Sequence, residues 1–138
     1  MPKILLLDDD ALFRHYLAAL LERAGYDVHA YSNGSEALKL IEVERFDAVV
    51  TDLYMPLVDG IEIVCAVKRH SPSTPVIGIS GGPMGSRDPC RMAMTVLGAQ
   101  EMLTKPIDAP ALFAILHRAI HSTARSADEK NDHADNAR

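Results

Sequence analysis

A chain of 138 residues has room for one domain with a real core and for little else. Apolar residues make up 48% and charged residues 24%, an ordinary globular mixture, and no apolar run is long enough or free enough of charge to span a membrane. The net charge of −5 argues against direct nucleic-acid binding, because such domains present a basic face.

Lys3 to Leu7 ends in four aliphatics, the pattern of a strand covered on both faces. It starts directly after Met1-Pro2 and runs into acids, without the stretch and cleavage site of a secretory signal, so a cytoplasmic location is expected. Ala11 to Ala24 has helical spacing, with Phe13, Leu17, Leu20, Leu21 and Ala24 on one side and Gly25 as the stop. Tyr26 to Tyr31 reads as a second strand. Asn33-Gly34-Ser35-Glu36 reads as a helix start, with Asn33 as cap and Ala37, Leu38 and Ile41 facing inward. Asp47 to Thr51 is a third strand ending at Asp52. Tyr54 to Gly60 is a loop punctuated by Pro56 and Gly60, in which Asp59-Gly60 is turn chemistry. A helix follows over Ile61 to His70.

After the turn Ser71-Pro72-Ser73-Thr74-Pro75, Val76 to Ile79 forms a fourth strand that ends at Ser80. Gly81 to Pro89 is a loose loop, Cys90 to Leu97 a weakly patterned helix, and Glu101 to Thr104 a fifth strand. Asp108 caps a last helix with Pro110 in its first turn and Leu112, Leu116 and Ile120 as its buried stripe. From Ser122 onward no large apolar residue remains, so residues 1–121 are expected to be the folded domain and 122–138 a disordered tail. No further domain is expected after Ser122. Cys65 is expected in the core, and neither it nor Cys90 has a spaced partner for redox or metal chemistry. His117 and His121 stand at i, i+4 but lack a third metal ligand.

Five strand–helix units with right-handed crossovers give an α/β fold, a doubly wound parallel five-stranded sheet with helices on both faces. In such a sheet the carboxyl ends of the strands share one edge, where ligands bind. Asp8 and Asp9, Asp52 and Lys105 all stand at strand ends and so converge there. Crowded carboxylates repel, and a hard divalent cation with oxygen ligands relieves the repulsion. Asp52 is ionised at neutral pH and can serve as a nucleophile towards a phosphoryl donor whose charge that cation offsets. Asp9, Asp52 and the main-chain carbonyl of Tyr54 can ligate Mg²⁺, with Mn²⁺ as an alternative, and Asp8 can hold a metal-bound water. Lys105 can sit on a phosphoryl oxygen, and the Ser80 hydroxyl can donate to another. Asp10 reads as a helix cap.

These residues carry a resemblance. Ile4-Leu5-Leu6-Leu7-Asp8-Asp9-Asp10, the stretch from Asp47 to Pro56 with Asp59-Gly60, Pro75-Val76-Ile77-Gly78-Ile79-Ser80 and Leu103-Thr104-Lys105-Pro106 resemble, in order and spacing, the receiver domain of two-component response regulators over residues 2 to 121. The resemblance implies a flavodoxin-like (βα)₅ fold. It implies phosphoryl transfer from a histidine kinase or histidine phosphotransfer protein to Asp52, and hence a non-enzyme that takes part in its own phosphorylation and dephosphorylation. It makes Asp8 and Asp9 the acidic metal pair, Lys105 the phosphate contact, Ser80 the switch hydroxyl and Lys105-Pro106 a cis bond. The downstream target would read the fourth helix, fifth strand and fifth helix; a homodimer on phosphorylation is compatible with this.

Two departures from the family pattern stand out. Met102 occupies the switch position where an aromatic usually stands three residues before the lysine, and the stretch between Ser80 and Lys105 is longer, with Gly81-Gly82-Pro83-Met84-Gly85 beside the site. Ordering of that loop, rather than ring rotation, is then expected to report the state. Three other readings compete. A phosphate sink or relay intermediate fits the same residues. An aspartyl phosphohydrolase would need a second acid where Tyr54 stands, and a flavin-binding flavodoxin would need a phosphate cradle where the chain has three acids.

Overall fold

The computed structural model describes residues 1–81 and 87–136, with side chains through Ser122. The ten elements alternate: β1 (Lys3–Leu7), α1 (Ala11–Arg23), β2 (Asp27–Tyr31), α2 (Gly34–Val43), β3 (Ala48–Asp52), α3 (Gly60–His70), β4 (Val76–Ser80), α4 (Pro89–Leu97), β5 (Glu101–Thr104) and α5 (Ala109–Asn136). The strands are all parallel and lie in the order β2-β1-β3-β4-β5, the flavodoxin-like (βα)₅ arrangement.

The aliphatic runs of β1 and β3 exist because each strand feeds two cores. Ile4 and Leu6 point to the face covered by Leu17 and Leu21 of α1 and Leu112 and Leu116 of α5. Leu5 and Leu7 point to the opposite face, covered by Ala37 and Ile41 of α2, Ile63, Val64 and Val67 of α3 and Met94 of α4. Alternation along a pleated strand and burial on both sides together demand an unbroken apolar run.

Two helices begin at the caps expected from the sequence: Asp10 accepts from Phe13 N–H and Asn33 from Glu36 N–H. Asp59 and Asp88, read from the sequence as turn and loop residues, also prove to be caps, accepting from Glu62 N–H and Cys90 N–H. Gly60 is required by close approach. A Cβ there would lie 2.6 Å from the carbonyl oxygen of Asp52, so only glycine lets α3 start against the end of β3.

One expectation differs from the structure. Cys65 is exposed rather than in the core, because Gly60, Ile63, Val64 and Val67 define the buried stripe of α3 and Cys65 lies across the helix from it. Past Ser122 the backbone of α5 is described as helix to Asn136. That stretch has no apolar stripe, but it has no glycine or proline either and includes Ala, Arg, Glu and Lys, which propagate a helix once it has been nucleated. Among the described residues no helix is long and apolar enough to cross a membrane.

Candidate functional site

The parallel order brings Asp8, Asp52, Ser80 and Lys105 to the carboxyl edge of β1, β3, β4 and β5. The switch in strand order falls between β1 and β3, where the chain steps outward from β1 to β2 on one side and from β3 to β4 on the other. A crevice opens at such a point, and carboxylate oxygens of Asp8, Asp9 and Asp52 there lie within 4.8 Å of one another. Asp8 is fully buried, Asp52 nearly so, and Asp9 is exposed to solvent.

Each charged group is held by its own set of partners. Asp8 Oδ1 accepts from Asp10 N–H at 2.8 Å, and its carbonyl accepts from Arg14 Nη1 at 2.8 Å. Asp8 Oδ2 lies 3.0 Å from Lys105 Nζ, its one polar partner among the described residues. The same ammonium lies 3.8 Å from Asp52 Oδ2 and 4.2 Å from the centroid of the Phe13 ring. Phe13 thus supplies a cation–π seat that fixes the lysine head. The Lys105 main-chain N–H donates to Ser80 carbonyl at 2.9 Å, and the Lys105-Pro106 peptide is cis.

The electrostatics follow from this crowding. Burial first, and Asp8 after it, raise the Asp52 carboxyl, whose net pKa is pushed up to about 6. Lys105 opposes the rise, Asp9 adds to it, and the Tyr54 main-chain hydrogen bond opposes it. One ammonium does not offset three carboxylates. Oxygen donors at this spacing, two of them buried, are what a hard divalent cation of the Mg²⁺ type selects, so the residues present fit such an ion.

Ser80 is fully buried, and its hydroxyl has no hydrogen-bond partner among the described residues. Asp52 is in register with Ile79 on β4, which places Ser80 one residue beyond Asp52 on the neighbouring strand. A buried hydroxyl without a partner among the described residues is costly and needs an explanation. Met102 lies on β5 in register with Gly78, and its thioether sulfur occupies the space that a Cβ of Gly78 would fill. It packs beside Met94 as a half-buried filler of the α3–α4 core.

Tyr54 follows Asp52 by two residues, and its phenol donates to Asp88 at the start of α4. That hydrogen bond pushes the phenol pKa up and the Asp88 carboxyl down. Most of the Gly81-to-Gly85 segment lies outside the described residues. His117 and His121 sit with ring centroids 4.0 Å apart on the exposed side of α5, with no third ligand among the described residues. A shallow cleft of about 500 Å³ between Pro72, Gln100, Ile115 and Arg118 lies at the opposite end of the sheet, away from the acids.

The site thus gathers Asp8, Asp9, Asp52, Lys105 and Ser80, as sequence position leads one to expect. Phe13, Arg14 and Asp88 escape sequence reasoning. Phe13 reads as core at helical spacing, and only its place in the first turn after the acids hints at a second role. Asp88 stands in a segment whose glycines and prolines read as loose.

The chain is 33% identical over 127 residues to the "Transcriptional regulatory protein GlrR" of Escherichia coli (strain K12), a match covering 92% of this chain and 28% of that protein. It is 37% identical over 81 residues to the "Response regulator receiver protein CpdR" of Brucella abortus (strain 2308), covering 59% of this chain and 68% of that one. The chain spans only 28% to 55% of several curated relatives, GlrR and the mycobacterial response regulator MprA among them. Among solved structures it is similar to a response regulator receiver domain protein from Clostridium thermocellum, with a TM-score of 0.80, 31% identity, and coverage of 90% of this chain and 98% of that one. It is also similar to the receiver domain of a sensor histidine kinase from Pseudomonas aeruginosa PAO1, solved with a magnesium ion coordinated in the active site cleft (TM-score 0.77, 25% identity, coverage 87% and 98%). Residues 4–117 match the family model of the response regulator receiver domain, and with the fold and the acidic edge already described, the chain belongs to that family.

Proposed function

We propose that Asp52 is the phosphoacceptor of this receiver and that its charging changes a surface read by a partner protein. The observation that carries this reading is the convergence of Asp8, Asp9 and Asp52 within 4.8 Å of one another, with Lys105 Nζ 3.0 Å from Asp8 and 3.8 Å from Asp52. The donor is a phosphohistidine on a histidine kinase or phosphotransfer protein. An Asp52 carboxylate oxygen attacks phosphorus in line, the P–N bond breaks, and its electron pair stays on the imidazole nitrogen, which is protonated.

Asp8, Asp9, Asp52 and the Tyr54 carbonyl are the groups that would hold Mg²⁺, with Mn²⁺ as a substitute. When bound, the ion supplies neutralisation of the carboxylates and of the phosphoryl oxygens. On this reading Lys105 takes one phosphoryl oxygen and Ser80 donates to another; the seat of Lys105 on Phe13 and its contact with Asp8 support the first role. Hydrolysis of the acyl phosphate by water returns Asp52 to its starting state, a slow reaction on itself rather than turnover of a substrate. Residues 1–121 form the receiver unit, acting in the cytoplasm, and α4, β5 and α5 form the face read by a partner.

The test is intact mass after incubation with acetyl phosphate and Mg²⁺. The wild-type chain is expected to gain one phosphoryl group in a chelator-sensitive manner, and Asp52→Asn to gain none. An Asp52→Asn protein that still gains the group would move the acceptor elsewhere.

A further inference from the structure

The start of α4 is tied to the wall of the crevice by a contact that the chemistry above leaves unused. Asp88 is 6% exposed and has two jobs. Its Oδ1 accepts from Cys90 N–H at 2.9 Å and caps α4, while its Oδ2 accepts from the Tyr54 phenol. Tyr54 also hydrogen-bonds to Asp52 through its main chain. One side chain therefore joins the loop that carries Asp52 to the helix that follows Ser80. Three residues on, Arg91 donates to the Met102 carbonyl at 3.1 Å and to Thr104 Oγ1 at 2.9 Å, fastening the same turn to β5 beside Lys105. The first turn of α4 cannot shift relative to Asp52 without breaking the Tyr54 contact or dragging the ring with it.

We propose that Asp88 is a positioning residue for the phosphoacceptor reaction: through the Tyr54 phenol it holds the first turn of α4 in the resting arrangement, so that Asp52 is charged against this hydrogen bond. The inference rests on Asp52 being the acceptor. Met102 is consistent with it, because a flexible thioether filling the space over Gly78 offers no discrete ring position to report the state, whereas a hydrogen bond is either made or broken. By linkage, a contact present only in the resting arrangement lowers affinity for anything that favours the other one, and its removal raises that affinity.

The probe is beryllofluoride with Mg²⁺, a phosphoryl mimic, titrated into the full chain. Asp88→Ser keeps a good helix cap but is too short to reach the phenol. Tyr54→Phe removes the same hydrogen bond from the other end. Asp88→Ser is expected to bind the mimic about fivefold or more tightly than wild type, with faster amide exchange in α4 before the mimic is added. The double variant should bind no tighter than either single variant, since both cut one bond. Asp88→Asn keeps both the cap and a hydrogen-bonding group facing the phenol, and is expected near wild-type affinity.

Unchanged or weaker binding by folded Asp88→Ser overturns the proposal. So do additive effects in the double variant, which would mean that Asp88 acts only as a cap. A wild-type chain that neither binds the mimic nor accepts a phosphoryl group from acetyl phosphate strikes the Asp52 reading itself, and this inference with it. A wild type that does both, beside an Asp88→Ser variant that matches it, strikes Asp88 alone.

Discussion

Asp52 is held in a charge state that its surroundings oppose. Its folded pKa of about 6 lies above the unfolded value of about 3.9. Between those values the folded chain binds more protons than the unfolded one, so stability falls as pH rises from about 4 to about 6 and levels off above. In chelator at neutral pH, Asp52→Asn should therefore be the more stable protein, by about 1–2 kcal/mol once the open edge of the crevice is discounted. The gap should close below pH 4; thermal melts across this range check both the sign and the window. Ser80 makes a second residue-scale case. Its buried hydroxyl has no partner among the described residues, so Ser80→Ala should cost nothing in the uncharged protein, and a gain of up to about 1 kcal/mol is expected. The same variant should lose the change in amide exchange that beryllofluoride produces in the wild type. A large loss of stability instead would show that the hydroxyl is bonded in solution.

Among the elements, β5 is the exposed margin of the sheet on the side of α4, and it is the shortest strand, with four residues. An unpaired strand edge presents free carbonyls and invites pairing with another chain. Arg91 covers this one by reaching from α4 to the Met102 carbonyl and Thr104 Oγ1. Arg91→Ala should lower stability by about 1–2 kcal/mol and raise the tendency to self-associate, as seen in melting temperature and in sedimentation at increasing concentration. A monomer of unchanged stability would count against this role. Sequence reading finds strands more surely than it finds such ties. The runs Ile4-to-Leu7 and Ala48-to-Val50 are legible because period-2 burial on two faces leaves no alternative. Asp8, Asp52 and Lys105 are legible because a parallel sheet gathers strand ends. The Arg91 and Asp88 contacts are not, because they join a helix turn to residues distant in sequence, and only the packed positions of α4, β3 and β5 create them. Cys65 shows a smaller failure: an apolar neighbourhood in sequence says nothing about which side of α3 faces out.

For the molecule as a whole, a divalent ion held as proposed would be a folding ligand as well as a chemical one. The unfolded chain does not assemble the carboxylate cluster, so Mg²⁺ at 100 times its dissociation constant should add about 2.7 kcal/mol to stability. The rise in melting temperature with Mg²⁺ should shrink in Asp52→Asn, and an equal rise in both proteins would place the ion elsewhere. The direction of α5 has a separate consequence. The helix leaves the acidic edge after Lys105 and runs back across the sheet. Its 28 residues extend about 42 Å at 1.5 Å each, whereas a five-residue strand covers about 17 Å. By length alone, more than half of α5 therefore extends past the sheet, towards the pole opposite the acids. On the proposed function, a reader that sat on this extension would meet the end of the rod away from a donor seated over Asp52.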